Sequence, residues 1–151
     1  MKVSTKGRYA LRLMIDLGTY GSSDTYISLK DVAKRQHISA KYLEQIVTPL
    51  HRAGLVRSVR GAQGGYRLSR SPEKYTAGEI LRSIEGSFAP IACLEDDVNE
   101  CENYHDCPTV GFWEGMYKVI SDYVDSVTLQ QLIDESETKE NQESVAECKE
   151  R

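Results

Sequence analysis

Apolar residues recur at helical spacing from the start of the chain. Ala10, Leu13, Met14 and Leu17 stand at i, i+3, i+4 and i+7, which predicts an amphipathic helix over residues 8–20. Gly21-Ser22-Ser23-Asp24 interrupts that stripe. Ser28, followed by Asp31, reads as the cap of a short second helix with Leu29, Val32 and Ala33 inward. A hydroxyl there can accept from amides that a helix start leaves unpaired. Ser39 caps a third helix with the stripe Leu43, Ile46, Val47 and Leu50. The intervening Gln36-His37-Ile38 is short enough for a helix-turn-helix. Gly54 stops the third helix, and Leu55 to Arg60 then alternates and is rich in strand formers. Gly61-Ala62-Gln63-Gly64-Gly65 supplies a flexible turn, and Tyr66-Arg67-Leu68 returns as a partner strand, predicting a wing.

Beyond Pro72, Thr76 and Glu79 form a capping box for a helix with Ile80, Leu81 and Ile84 inward and Gly86 at its end. Residues 87–108 have no period and read as a loop, a length that usually carries function. A long helix resumes from about 109 to 127. Its Val110, Trp113, Tyr117, Ile120, Val124 and Val127 form a heptad-like seam, with Phe112, Met116, Val119 and Tyr123 as a second apolar stripe beside it. A helix apolar on two faces must bury both, so the second face is expected to meet another copy of the chain. Gly111 and Gly115 each cost roughly 1 kcal/mol inside a helix, and their spacing lets another backbone approach. Thr128 can cap a last short helix over 129–135, and the charged tail from 136 on has little to bury and is expected to be disordered.

The predicted fold is therefore mainly α with a small β-hairpin, a winged helix-turn-helix carrying a long C-terminal dimerisation helix. Its parts are a DNA-binding domain over 1–86, a cysteine loop over 87–108, the dimerisation and terminal helices over 109–135, and a disordered acidic tail over 136–151.

Charge sharpens this division. Residues 1–75 hold 14 Lys and Arg against 5 Asp and Glu, whereas residues 76–151 hold 5 against 18. A basic half joined to an acidic half points to polyanion binding in the first and another task in the second. No apolar run approaches the roughly 20 residues of a membrane span, and the first residues lack the apolar core of a signal peptide. A cytoplasmic location is expected, where cysteines more often bind metal or sense redox state than form structural disulfides. No nucleophile–base pair or cofactor fingerprint is present, so the chain is not expected to be an enzyme.

A helix-turn-helix sets the start of its second helix in the major groove. That places Ser39, Lys41, Tyr42, Glu44 and Gln45 toward double-stranded DNA, with Tyr42 equally suited to packing at the helix boundary. Gln can pair with adenine and Glu can accept from cytosine. Arg57, Arg60 and Arg67 on the wing suit phosphates or a narrow minor groove, and Lys2, Lys6, Arg8 and Arg12 are candidate phosphate contacts. A dimer so built reads an imperfect palindrome.

Ser4-Thr5-Lys6-Gly7-Arg8-Tyr9-Ala10, Tyr42-Leu43-Glu44-Gln45, Gly54 to Gly61 and Gly64-Gly65-Tyr66 resemble segments of the IscR-like family of iron–sulfur cluster regulators, and the likeness runs over about residues 1–135. The resemblance implies a homodimeric transcription regulator, a repressor of cluster-assembly genes, whose long helix crosses to its partner. It also implies that Ser39, Tyr42, Glu44 and Gln45, with Arg60, Gly61, Gln63 and Gly64 in the wing, face DNA. Its loop cysteines would hold a [2Fe–2S] or [4Fe–4S] cluster.

In this chain those cysteines are Cys93, Cys101 and Cys107. Thiolates are soft ligands that suit such clusters or zinc. A fourth ligand is less plain: where some relatives carry a histidine this chain has Val110, and where others carry an acidic residue it has Arg8. His105 is the nearest imidazole. A Cys3His zinc site is the alternative, in a regulator or interaction protein that answers to a partner protein or to cysteine metabolism. A third is a metal-free redox pair of Cys101 and Cys107. The acidic neighbours Glu95, Asp96, Asp97, Glu100, Glu102 and Asp106 are expected to raise the thiol pKa values. Cys148, in the tail, reads as incidental.

Overall fold

The computed structural model describes residues 2–96 and 101–149. Among these residues, six α-helices and one hairpin make up the fold. α1 (Thr5–Tyr20) starts three residues before the predicted helix because Ser4 accepts a bond from the Gly7 amide. Ala10, Leu13, Met14 and Leu17 are all buried, as the period requires. Ser28 caps α2 (Leu29–Gln36) by accepting from the Asp31 amide. His37 then takes a left-handed conformation, φ 54°, and turns the chain into α3 (Ala40–Arg52), capped by Ser39 through the Tyr42 amide. α3 buries Leu43, Ile46, Val47 and Leu50 against the core.

The wing is an antiparallel hairpin of β1 (Val56–Val59) and β2 (Gly65–Leu68), in register from Val56 opposite Leu68 to Val59 opposite Gly65. Ile27 bridges to Tyr66 and ties the hairpin to the segment before α2. Gly65 makes this possible: its φ is +155°, and a Cβ there would overlap the Ile27 carbonyl. Tyr75 anchors the wing's base. Fully buried, it donates its hydroxyl proton to the Leu55 carbonyl at 2.7 Å and accepts from the Ser69 and Arg70 amides at 2.8 and 3.1 Å.

α4 (Ala77–Glu85) ends at Gly86, φ +80°. Its capping box forms by half: Thr76 accepts from the Glu79 amide at 3.1 Å, but the Glu79 carboxylate pairs with Arg70 instead. The described residues between α4 and α5 (Val110–Ser126) include two short 3-10 turns, Ala92–Leu94 and Tyr104–Asp106. The start of α6 (Leu129–Lys149) is zipped to that of α4, with the Ala77 amide on the Val127 carbonyl and the Leu129 amide on the Tyr75 carbonyl.

Helix α6 runs past the end at residue 135 that the sequence predicts, because its backbone stays helical to Lys149. Leu129 and Ile133 seat the first turns in the core. Beyond them the segment is dominated by Glu, Lys and Gln, good helix formers that need no buried face to continue a helix already nucleated. α5 carries apolar residues from end to end between its charged positions, yet none of its residues is fully buried within the chain. No helix among the described residues is long and apolar enough to cross a membrane.

Candidate DNA-binding face and cysteine loop

Burying one face of α3 leaves the other to solvent. Ser39, Lys41, Glu44 and Gln45 are exposed at its first two turns. Tyr42 is half-buried and meets Tyr9 of α1 edge-on, ring centroids 5.9 Å apart. Tyr42 thus packs at the junction of α1 and α3. On the wing, Arg57, Arg60, Gly61 and Gln63 are exposed and Gly64 is half-buried. The Gly64 amide closes the tip on the Gly61 carbonyl at 3.0 Å, and Gly61 sits at φ +117°. His51, near the end of α3, lies 3.3 Å from the Ser58 hydroxyl and links helix to wing.

Two of the candidate cations are not free. Arg67 turns inward: it donates to the Ser23 carbonyl and lies over the Tyr26 ring at 5.1 Å, so it does not join Arg57 and Arg60 on the outer surface. Arg12 donates through Nε to the Gln36 side chain at 2.8 Å and sits 5.0 Å from the Tyr9 ring centre.

Gln36 in turn leads to a group the sequence reading did not single out. Asp16, 1% exposed on α1, accepts from Arg35 Nε at 2.9 Å and Nη2 at 2.6 Å, and from Gln36 Nε2 at 3.0 Å. The chain Asp16–Gln36–Arg12–Tyr9–Tyr42 therefore runs from the core to the start of α3. The available clue was a carboxylate inside the apolar stripe, between Met14 and Leu17. Buried charges are almost always paired.

The three loop cysteines occupy different settings. Cys93 is half-buried on the first 3-10 turn and lines a cavity of about 440 Å3 with Glu95, Tyr104, Glu114 and Lys118. Tyr104 donates to Glu114, which pushes the phenol pKa up. Cys101 is exposed. Cys107 is half-buried, 3.5 Å from the Thr109 hydroxyl. Its thiol pKa is pushed down, first by that hydroxyl and then by the Thr109 and Val110 amides. This reverses the expected rise for Cys107: donors at the start of α5 outweigh the opposing effect of burial. Asp97 and Glu100 lie outside the described residues, as does the side chain of Cys148.

In chemistry the donor set fits an iron–sulfur cluster, three soft thiolates on one loop. In arrangement it is not yet gathered, because no three His, Cys, Asp or Glu side chains among the described residues come together as a metal site. His105 is exposed and packs its ring on Tyr104, centroids 5.6 Å apart.

A family profile described as Rrf2, iron-dependent transcriptional regulator, matches residues 3–135. The HTH-type transcriptional regulator CymR of Bacillus subtilis is 42% identical over 133 residues, 87% of this chain and 89% of that protein. The solved structure of the same regulator, titled the global cysteine regulator of B. subtilis, superposes with a TM-score of 0.67 at 38% identity, covering 89% of this chain and 97% of that one. The structure of T. potens IscR gives a TM-score of 0.70 at 40% identity, covering 90% and 88%.

Proposed function

Because the chain belongs to the Rrf2 family of transcriptional regulators, as an IscR-like member, we propose that it is a homodimeric, cytoplasmic repressor without catalytic activity. It reads an imperfect palindrome and answers to iron–sulfur cluster status through its cysteine loop. The observation that carries the DNA reading is the division of α3. Leu43, Ile46, Val47 and Leu50 are buried, while Ser39, Lys41, Glu44 and Gln45 are exposed beside a wing bearing exposed Arg57 and Arg60. Base edges fall to Glu44 and Gln45, and phosphates to Lys41 and the wing arginines.

Dimerisation rests on α5. Phe112, Val119 and Tyr123 are 67–68% exposed, far too much apolar surface for a helix meant to face water. A Cβ at Gly111 or Gly115 would meet nothing within 4 Å in this chain, which leaves their flat surface to a partner helix.

The sensing loop joins α4 of the DNA-binding part to α5, so whatever orders it acts on the connection between reading head and dimer. Cys93, Cys101 and Cys107 would hold the cluster, with His105 as the candidate fourth ligand. When bound, the cluster supplies sensitivity to oxygen and iron supply. The implied targets are cluster-assembly genes.

A second reading is a regulator with structural zinc or no metal, responding to a partner protein or to cysteine metabolism. The 42% identity to CymR, whose solved structure is described as that of a global cysteine regulator, favours it. Anaerobic purification with iron, sulfide and zinc analysis decides between them. Matched iron and sulfide support the cluster, whereas zinc or no metal after reconstitution supports the second reading.

A further inference from the structure

The turn between α2 and α3 is gripped from α1. Gln36, the last residue of α2, is half-buried, and its side-chain amide fits only one way round. Its carbonyl oxygen accepts from Arg12 Nε at 2.8 Å, and its NH2 group donates to the buried Asp16 carboxylate at 3.0 Å. Reversal would set donor against donor and acceptor against acceptor. Arg12 Nη2 also reaches the Gln36 main-chain carbonyl at 3.3 Å, one of the carbonyls that a helix end leaves without a helical donor. One residue later His37 adopts φ 54°, a left-handed conformation that persists in a non-glycine residue only where its surroundings fix it.

On the far side of the turn, Tyr42 lies in the first turn of α3 and Tyr9 stands edge-on to it, the ring planes 88° apart. The Arg12 guanidinium lies 5.0 Å from the centre of that same Tyr9 ring. Arg12 thus holds both flanks of the turn, Gln36 directly and Tyr42 through Tyr9. Glu44 and Gln45 follow Tyr42 by two and three residues on a continuous helix, so the setting of Tyr42 carries through to them. We propose, on the reading of α3 as the helix that enters the groove, that Arg12 and Gln36 are positioning residues for base recognition. They fix the pitch of the recognition helix from α1, and Arg12 serves sequence reading instead of the phosphate contact its charge suggests.

The test is an anisotropy titration of the full chain across a salt series, on a duplex selected from random sequence and on its single-base variants. Gln36→Met keeps the side-chain length, and Asp16 retains both bonds from Arg35, so the fold survives. In this variant and in Arg12→Ala, preference for the selected duplex should fall about tenfold while the salt slope is unchanged. Arg12→Lys should lose the same preference, because an ammonium keeps the charge but not the paired, planar donors. Undiminished preference in Gln36→Met overturns the inference. So does a slope that shrinks by about 0.9 in Arg12→Ala and recovers in Arg12→Lys, the signature of a phosphate contact. Those results remove the positioning role alone, whereas a chain that prefers no sequence removes the regulator reading with it. Amide NMR of the free chain needs no DNA: Gln36→Met should shift the amides of Lys41, Tyr42 and Leu43, and unmoved signals there overturn the path from α1.

Discussion

Arg82 of α4 grips Asp125 of α5 through two parallel hydrogen bonds, Nη1 to Oδ1 at 2.6 Å and Nη2 to Oδ2 at 2.9 Å. The pair fixes how the long helix leaves the DNA-binding part, because α5 buries nothing fully within the chain. The guanidinium holds the Asp125 carboxyl below its usual range. A carboxylate whose pKa is lowered by folding contributes stability above its unfolded value, and that contribution is lost as pH falls through the folded value. Both side chains are roughly a third or more exposed, so Asp125→Asn should cost only about 0.5 kcal/mol. In thermal melts the gap between the two proteins should stay constant from neutral pH down to about pH 4 and close below it.

The ion pair at Asp16 differs, because burial there is one-sided: the Asp16 side chain is fully buried while Arg35 is 31% exposed. Removing Arg35 strands a buried charge, whereas removing Asp16 leaves a guanidinium that can turn to water. Arg35→Met should therefore lose about 3 kcal/mol and Asp16→Leu roughly half that, read by urea unfolding. Equal losses would mean that Asp16 is rescued by Gln36 alone.

Gly65→Ala tests the wing's attachment. The new methyl would strike the Ile27 backbone, not a movable side-chain tip, and φ of +155° is strained for any L side chain. We expect a loss of about 2–3 kcal/mol, with hydrogen exchange at the Ile27 and Tyr66 amides rising first because their mutual bridge opens. Unchanged protection there would show that the hairpin is held by Tyr75 alone.

Elements whose burial follows a period were legible in the sequence. Leu13, Met14 and Leu17 of α1 and the stripe of α3 read directly, as did the caps at Ser28, Ser39 and Thr76, since a cap is a local event. Contacts between distant side chains were not. Nothing near Arg67 in sequence says that Ser23 and Tyr26 will draw it inward, and nothing near Tyr75 announces its three bonds at the wing base. Asp16 showed only as a misfit in an apolar stripe. Cys107 was misjudged because the Thr109 and Val110 donors act only once α5 begins where it does. The polar end of α6 carries no burial signal, so propensity alone could have foretold it.

Self-association through α5 is testable on exposed residues. Val119→Lys and Tyr123→Lys should leave the fold intact, because both side chains are 68% exposed in the single chain. Burying one such side chain contributes about 1.5–3 kcal/mol, and a two-fold interface doubles the effect of each change. The dimer dissociation constant should rise by about 100-fold or more in sedimentation equilibrium. A chain that sediments as a monomer before any substitution removes the dimer from the proposal.

The DNA face separates into positioning and reading groups, and the two respond differently to salt. Each neutralised phosphate releases counterions, so the slope of log affinity against log salt shrinks by about 0.9 for every phosphate left without its cation. Arg57→Ala and Arg60→Ala should each reduce the slope by that amount and weaken all sequences alike. Gln45→Ala should leave the slope unchanged while erasing about 1–3 kcal/mol of preference at one base pair, measured by fluorescence anisotropy on a selected operator and its single-base variants. Arg67→Ala supplies the internal contrast: the guanidinium is turned in on Ser23 and Tyr26, so it should lower stability without changing the slope. A slope change at Arg67 equal to that at Arg57 would show that the wing rearranges on DNA and frees this side chain to meet a phosphate.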